Sequence, residues 1–263
     1  MGLLLHQLAS TAYLLAAIIA ALGFAMRWRL LGSAPVVALG LGATLQFFGF
    51  WQLHTIDSPP SMASLPLAVS FMGWVGTMIY LVFVTQLRIR GLAVIVAPAV
   101  FVACFTGSLL LEGPLETAEP LHPVWSHLHV LLSSCGLATL GVSAAAGLLY
   151  IVHHRAIKMK RKKLGGGYPS LETLDRVNTI ALALGFLLLT LGLVTGVLWV
   201  QAKTGNFWEG GLHANATLAA WLLNAVAAWG RFGVDVGARR TALLSAGGFA
   251  FLVLAVVGLG VAS

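Results

Sequence analysis

Residues 180–200 read IALALGFLLLTLGLVTGVLWV, twenty-one residues without a charged or amide side chain. As an α-helix rising 1.5 Å per residue, such a run is long enough to cross the roughly 30 Å hydrocarbon core of a bilayer. Because lipid offers no hydrogen-bond partners, a spanning segment must satisfy its backbone groups internally, and a helix does so. The segment therefore predicts a transmembrane helix.

Seven other apolar runs of similar length flank this segment. They are Leu4–Phe24, Leu31–Leu53, Ala63–Thr85, Leu92–Leu111, Leu128–Ile151, Ala214–Trp229 and Ala242–Gly260. The first run lacks a basic start and a small-residue cleavage site, so we interpret it as a span and not as a signal peptide. Only 9% of the 263 residues are charged, against about 25% in soluble domains. The sequence predicts an all-α integral membrane protein, a bundle of about eight transmembrane helices.

The distribution of basic residues predicts the orientation of these helices. Fourteen of the fifteen lysines and arginines fall in alternate connections, and Lys203 is the exception. The fourteen are Arg27, Arg29, Arg88, Arg90, Arg155, Lys158, Lys160, Arg161, Lys162, Lys163, Arg176, Arg231, Arg239 and Arg240. By the positive-inside rule those connections are cytoplasmic, which leaves both termini external. This topology accounts for the net charge of +7, so we expect no nucleic-acid partner.

We expect one polytopic membrane domain over residues 1–263, with an N-terminal four-helix part at 1–111 and a second part at 112–263. The basic connection Arg155–Arg176 is predicted to lie on anionic membrane lipids. Its Gly165-Gly166-Gly167 triplet does not follow a strand, so it does not indicate a phosphate loop. Cys104 and Cys135 lie inside predicted spans, where small buried side chains are the expectation.

Histidines concentrate at the predicted external side. Six of the eight map there: His6, His54, His122, His127, His129 and His213. Histidine is a common ligand of metals and haem iron. His122, Trp125 and His129 have the i, i+3, i+7 spacing of one helix face. The second external segment places Phe207 and Trp208 shortly before His213.

The next predicted span continues with Trp221 in a polar stripe. A solitary interfacial tryptophan is usually a membrane anchor, and a solitary interfacial histidine is usually solvated. Their clustering instead indicates a site for a flat apolar ligand that contains a metal. Haem fits this description, although the spacing alone does not separate haem from a quinone or a bare metal ion.

From Trp125 to the end, the chain resembles the cytochrome c assembly proteins, the membrane haem-handling proteins of CcsA, CcmC and HemX type. His129 before its helix resembles the family's external histidine. The stretch Gly205-Asn206-Phe207-Trp208, followed by Trp221 and Arg231, resembles its WWD haem-binding loop and the helix after it. The family's motif has the form WGSYWSWDPKE. Here Trp208 agrees, whereas the later positions hold Gly210, Gly211, Leu212, His213 and Ala214, so the motif is degenerate. The length is close to that of HemX-like members.

The resemblance implies a haem-binding protein of the bacterial cytoplasmic membrane that delivers haem during c-type cytochrome biogenesis. Its cofactor would be a non-covalent b-type haem, held stably or only in passage, and its partners would be apocytochrome c and other maturation membrane proteins. It also implies that His129 is an axial ligand. From the residues, His213 or His54 is the best candidate for the second ligand, and Trp125, Phe207 and Trp208 would cover the porphyrin. Trp221 is also predicted to belong to the haem-binding site.

We expect no catalysis by this chain alone, which would be at most one subunit of a cytochrome c haem lyase or synthase system. One alternative is a HemX-like regulatory or assembly subunit that has lost haem ligation. The other is an exporter of haem or another small molecule.

Overall fold

The computed structural model describes residues 1–26, 33–55, 64–87, 89–110, 123–159, 169–208 and 210–260. Its eight long helices are α1 (Gly2–Met26), α2 (Ala34–His54), α3 (Leu65–Leu87), α4 (Ala93–Leu110), α5 (Pro123–Lys158), α6 (Leu171–Thr204), α7 (Leu212–Phe232) and α8 (Ala238–Gly260). A short 3-10 turn, Arg90–Leu92, precedes α4. Within the described residues, every predicted span overlaps one of these helices, which confirms the all-α membrane fold.

Among the residues that the structure describes, seven of these helices are long and apolar enough to cross a membrane. Helix α7 is outside that set, since its 21 residues include Asn215, Asn224 and Arg231. Its crossing remains a prediction, as does the external position of both termini.

Helices α5 and α6 extend well beyond the spans predicted within them. Helix α5 has 36 residues and α6 has 34, so at 1.5 Å per residue each is roughly 50 Å long. Both exceed the roughly 30 Å hydrocarbon core. The connection between α6 and α7 is accordingly shorter than predicted, because α6 continues to Thr204 and α7 begins at Leu212. The Gly165-Gly166-Gly167 triplet lies outside the described residues.

The chain divides into two compact units, Met1–Glu119 with Ala156–Thr173, and Pro120–Arg155 with Leu174–Ser263. In the first unit, α1 packs closely on α2, and a Cβ on Gly42 would stand only 2.5 Å from Cε1 of Tyr13. The fully buried Tyr13 hydroxyl donates to Oε1 of Gln46 at 2.8 Å. The Gln46 amide in turn donates to the backbone oxygen and to Oγ of Ser70, both at 2.9 Å. Three helices are thus joined through one buried amide.

Glycines bring α5 and α6 together in the second unit. A Cβ on Gly136 would meet the backbone nitrogen of Leu189 at 2.6 Å, and one on Gly185 would meet that of Leu140 at 2.9 Å. Closer to the N-terminal end of α6, the buried Asn178 donates to the backbone oxygen of Ser143 on α5 at 2.8 Å. Small residues at a helix interface allow this approach in membranes.

The end of α7 is tied to α6 by an ion pair. Arg231 donates to Oδ2 of Asp175 at 2.9 Å, and both side chains are partly buried. The turn after α7 also places Asp235 at 3.7 Å from Arg231, with a backbone φ of +46°.

The predicted orientation can be tested by cysteine labelling from outside the cell. In a background with Cys104→Ala and Cys135→Ala, we expect Asn206→Cys to react with a membrane-impermeant maleimide and Met159→Cys to react only after permeabilisation. Both positions are exposed in the structure, and the positive-inside rule places them on opposite sides. The reverse labelling pattern would overturn the topology.

The contact between Gly42 and Tyr13 predicts a sharp difference between two alanine substitutions on α2. Gly42→Ala should lower the stability of the detergent-solubilised protein by about 1–3 kcal/mol, the usual cost of overpacking. Gly40→Ala is the matched control, because a Cβ there meets nothing within 4 Å, and alanine is the better helix former. Thermal unfolding measures both. Equal melting temperatures for the two variants would contradict the α1–α2 packing.

Candidate ligand-binding site

His129 lies in the second turn of α5 and is half-buried against α6. Its Nδ1 is 2.8 Å from the backbone oxygen of Gly192. A carbonyl oxygen only accepts hydrogen bonds, so Nδ1 is the protonated nitrogen and donates. In the neutral ring the lone pair is therefore on Nε2. A histidine that ligates a metal is commonly held in this state, with its other N–H bonded to a carbonyl or carboxylate.

Two glycines of α6 allow α5 to approach closely at the level of His129 and Ser133. A Cβ on Gly196 would stand 2.8 Å from both Cε1 and Nδ1 of His129, and one on Gly192 would stand 2.6 Å from Oγ of Ser133. The Ser133 hydroxyl is itself 3.3 Å from Nδ1 of His129. A spacing such as Gly192-Leu-Val-Thr-Gly196 usually serves close helix packing in membranes. The structure shows that it also forms the groove that receives the ring.

Trp199 is an aromatic neighbour of His129 and was not among the residues that the sequence singled out. The two ring centroids are 5.9 Å apart, with their planes tilted by 31°. Gly192, Gly196 and Trp199 follow one another at spacings of four and three residues, which places them on one face of α6. The spacing of these three residues is the sequence signal that could have identified Trp199.

The other predicted aromatic residues lie partly in the open. Trp125 is one helical turn before His129 on α5 and is 36% exposed. Phe207 and Trp208, in the connection after α6, are 64% and 41% exposed. This connection turns at Gly205 and Gly210, whose φ angles are +77° and +67°, values that favour glycine.

Trp221 is half-buried and packs against the core of the second unit. Its Nε1 donates to Oγ1 of Thr190 at 2.9 Å, and its ring stacks on Phe186 with a centroid separation of 5.7 Å. Asn224, one turn further along α7, is fully buried and donates to the backbone oxygen of Ala220. Trp221 and Asn224, two polar residues of this α7 stripe, therefore each have a hydrogen-bond acceptor within the second unit.

The remaining histidines differ in their surroundings. His54 is exposed at the last residue of α2, in the first unit. His213 is in the first turn of α7, but its side chain lies outside the described part of the structure, as does the whole of His122. His6 is fully buried. Within the residues that the structure describes, no three His, Cys, Asp or Glu side chains are grouped so as to hold a metal ion.

These features define a class: a polytopic α-helical membrane protein with a carbonyl-bonded histidine beside tryptophan in a helix–helix groove. The chain belongs to the cytochrome c assembly protein family, whose sequence model matches residues 62–263. The match begins well before Trp125, so the family likeness covers more of the chain than the motifs that suggested it. Membership gives the protein a role in cytochrome c maturation.

Several CcsA cytochrome c biogenesis proteins are similar to the chain. The one from Prochlorococcus marinus (strain MIT 9303) is 23% identical over 227 residues, covering 75% of this chain and 71% of the relative. The one from Guillardia theta is 27% identical over 222 residues, covering 75% and 72%. These relatives do not support the more specific prediction that the chain is a HemX-like member of the family.

A solved structure of the cytochrome c haem lyase CcmF has a similar fold. Its TM-score is 0.66 at 18% sequence identity, over 100% of this chain and 50% of that chain. At this identity the likeness concerns the fold alone, and the chain spans half the length of that lyase.

The groove on α6 predicts a specific ring tautomer for His129. In the wild type, ¹⁵N-histidine NMR in nanodiscs should show the Nδ1–H tautomer for His129, because Gly192 fixes the proton there. Gly196→Ala should displace the ring from that carbonyl and increase the Nε2–H form. Gly247→Ala is the control, because a Cβ at that position of α8 meets nothing within 4 Å. An Nε2–H signal for His129 in the wild type would show that the hydrogen bond is wrong.

Proposed function

We propose that this protein binds haem non-covalently through His129 and presents it at the external face of its membrane for c-type cytochrome maturation. The observation that carries the proposal is the 2.8 Å hydrogen bond from Nδ1 of His129 to Gly192. It leaves the lone pair on Nε2, as an axial ligand of iron requires.

The chain's own residues would bind and shield the ligand. Trp199 lies against the imidazole and would restrict its rotation. Trp125, Phe207 and Trp208 have exposed aromatic surface, and contact with a flat apolar ligand would remove that surface from water. When bound, haem supplies the iron and the groups that become bonded to apocytochrome c. The protein supplies position and exclusion of water, so we do not propose catalysis by this chain alone.

The second axial ligand is proposed to be His213 or His54. His213 lies where the family's motif is interrupted, at the start of α7, after the connection that carries Phe207 and Trp208. His54 is exposed at the end of α2, in a connection that the topology also makes external. The surrounding membrane is proposed to be the bacterial cytoplasmic membrane, and the partners to be apocytochrome c and other maturation membrane proteins.

Substitution of His129 tests the proposal directly. We expect His129→Ala to abolish or strongly reduce haem co-purification while the protein still inserts, and externally added imidazole to restore part of the Soret absorption. His213→Ala should shift the Soret spectrum or lower the affinity if it supplies the second ligand, and His54→Ala tests the competing assignment. Haem occupancy should fall as the pH falls, since a protonated imidazole cannot ligate iron.

His153→Ala and His154→Ala are the matched controls, because both residues lie near the opposite end of α5. The Soret spectra of all five variants should be compared at equal expression. A wild-type spectrum for His129→Ala would refute the site. A wild-type protein that never binds haem, but that co-purifies with a maturation partner, would instead identify a non-catalytic assembly subunit.

A further inference from the structure

Lys203 is the one basic residue that the sequence places in a predicted external connection. The acidic residues of those connections are Asp57, Glu112, Glu116, Glu119 and Glu209. Under the predicted topology, Lys203 is the one lysine or arginine among these carboxylates, so an anionic ligand at this side would be attracted to it. The positive-inside bias acts against a lysine here, which makes its position informative.

Lys203 also lies on the face of α6 that receives His129. Gly192, Gly196, Trp199 and Lys203 are separated by four, three and four residues, and side chains at these spacings share one helix face. The first three contact His129 or leave room for it. Lys203 is one turn beyond Trp199 in the last turn of α6, and its side chain is exposed.

From these positions we propose that Lys203 binds the propionate carboxylates of the haem held by His129. The inference rests on the proposed function and adds to it the group that recognises the ligand's charged edge. The groove at Gly192 and Gly196 would fix the imidazole of His129. Trp199 would cover the apolar part of the haem next to that imidazole. The ammonium group of Lys203, about two turns beyond Gly196, would pair with the propionate carboxylates. A flat ligand with an apolar body and an anionic edge matches that order of residues along the helix.

A cycle that changes both the lysine and the ligand tests the pairing. Apoprotein in nanodiscs is titrated with haem and with haem dimethyl ester, whose propionates are neutral. We expect Lys203→Gln to weaken haem binding about two- to five-fold, the range for a solvent-exposed ion pair, and to leave binding of the ester unchanged. Lys203→Arg should retain haem affinity, and added salt should reduce the difference between wild type and Lys203→Gln.

Lys158→Gln is the matched control, since Lys158 is an exposed lysine at the last residue of α5, and it should change neither affinity. A lysine that only stabilises the C-terminal end of α6 through the helix dipole would change the melting temperature without distinguishing the two ligands. Equal losses for haem and its ester, or no loss for either, would overturn the role of Lys203. If the wild type binds neither ligand, it is the proposed haem function that fails.

Discussion

The close approach of α5 and α6 is the constraint on which the second unit depends. In a transmembrane helix each carbonyl oxygen already accepts the backbone N–H four residues later, yet it has a second lone pair. A side chain as short as histidine reaches that lone pair from a neighbouring helix where the two backbones come near. Gly136 and Gly185 bring them near in mid-helix, and Gly192 and Gly196 keep them near at the level of His129. The imidazole is thus oriented by packing as well as by its own hydrogen bond.

A comparison with His6 shows how the contact between two helices distinguishes His129 from another histidine bonded to a carbonyl. His6 in the first unit also has Nδ1 close to a carbonyl oxygen, that of Gly2, at 3.0 Å. That carbonyl belongs to its own helix, and the ring is fully buried edge-on to Phe50. Within the described residues, Nε2 of His6 is a buried atom without a hydrogen-bond partner. His129 instead joins two helices and is only half-buried. The contrast favours His129 as the ligand, because a coordinating nitrogen must be reachable.

The sequence was sufficient to predict that the helices exist, but it was not sufficient to predict where they end or which residues they contact. Long uncharged runs have one stable arrangement in lipid, so all eight helices could be predicted. The extension of α5 to Lys158 and the start of α6 at Leu171 could not, because these turns carry polar residues that resemble a loop in hydropathy. Trp199 was missed for another reason. Its role depends on which face of α6 meets α5, and because the helix is apolar on every side, only the spacing of Gly192, Gly196 and Trp199 marks that face in the sequence. Trp221 could be placed on α7, but its bond to Thr190 requires knowledge of the neighbouring helix.

Asp235 illustrates how a turn constrains which residues a related chain can accept. Its φ of +46° is a left-handed conformation that glycine adopts without steric cost and that asparagine and aspartate tolerate better than other residues. Its carboxylate stands 3.7 Å from Arg231, which already pairs with Asp175. A homologue with glycine or asparagine here would keep the path of the chain from α7 to α8 and lose only a peripheral charge. A homologue with valine or isoleucine would need a different backbone conformation in this turn. The backbone geometry therefore restricts position 235 to a few residue types.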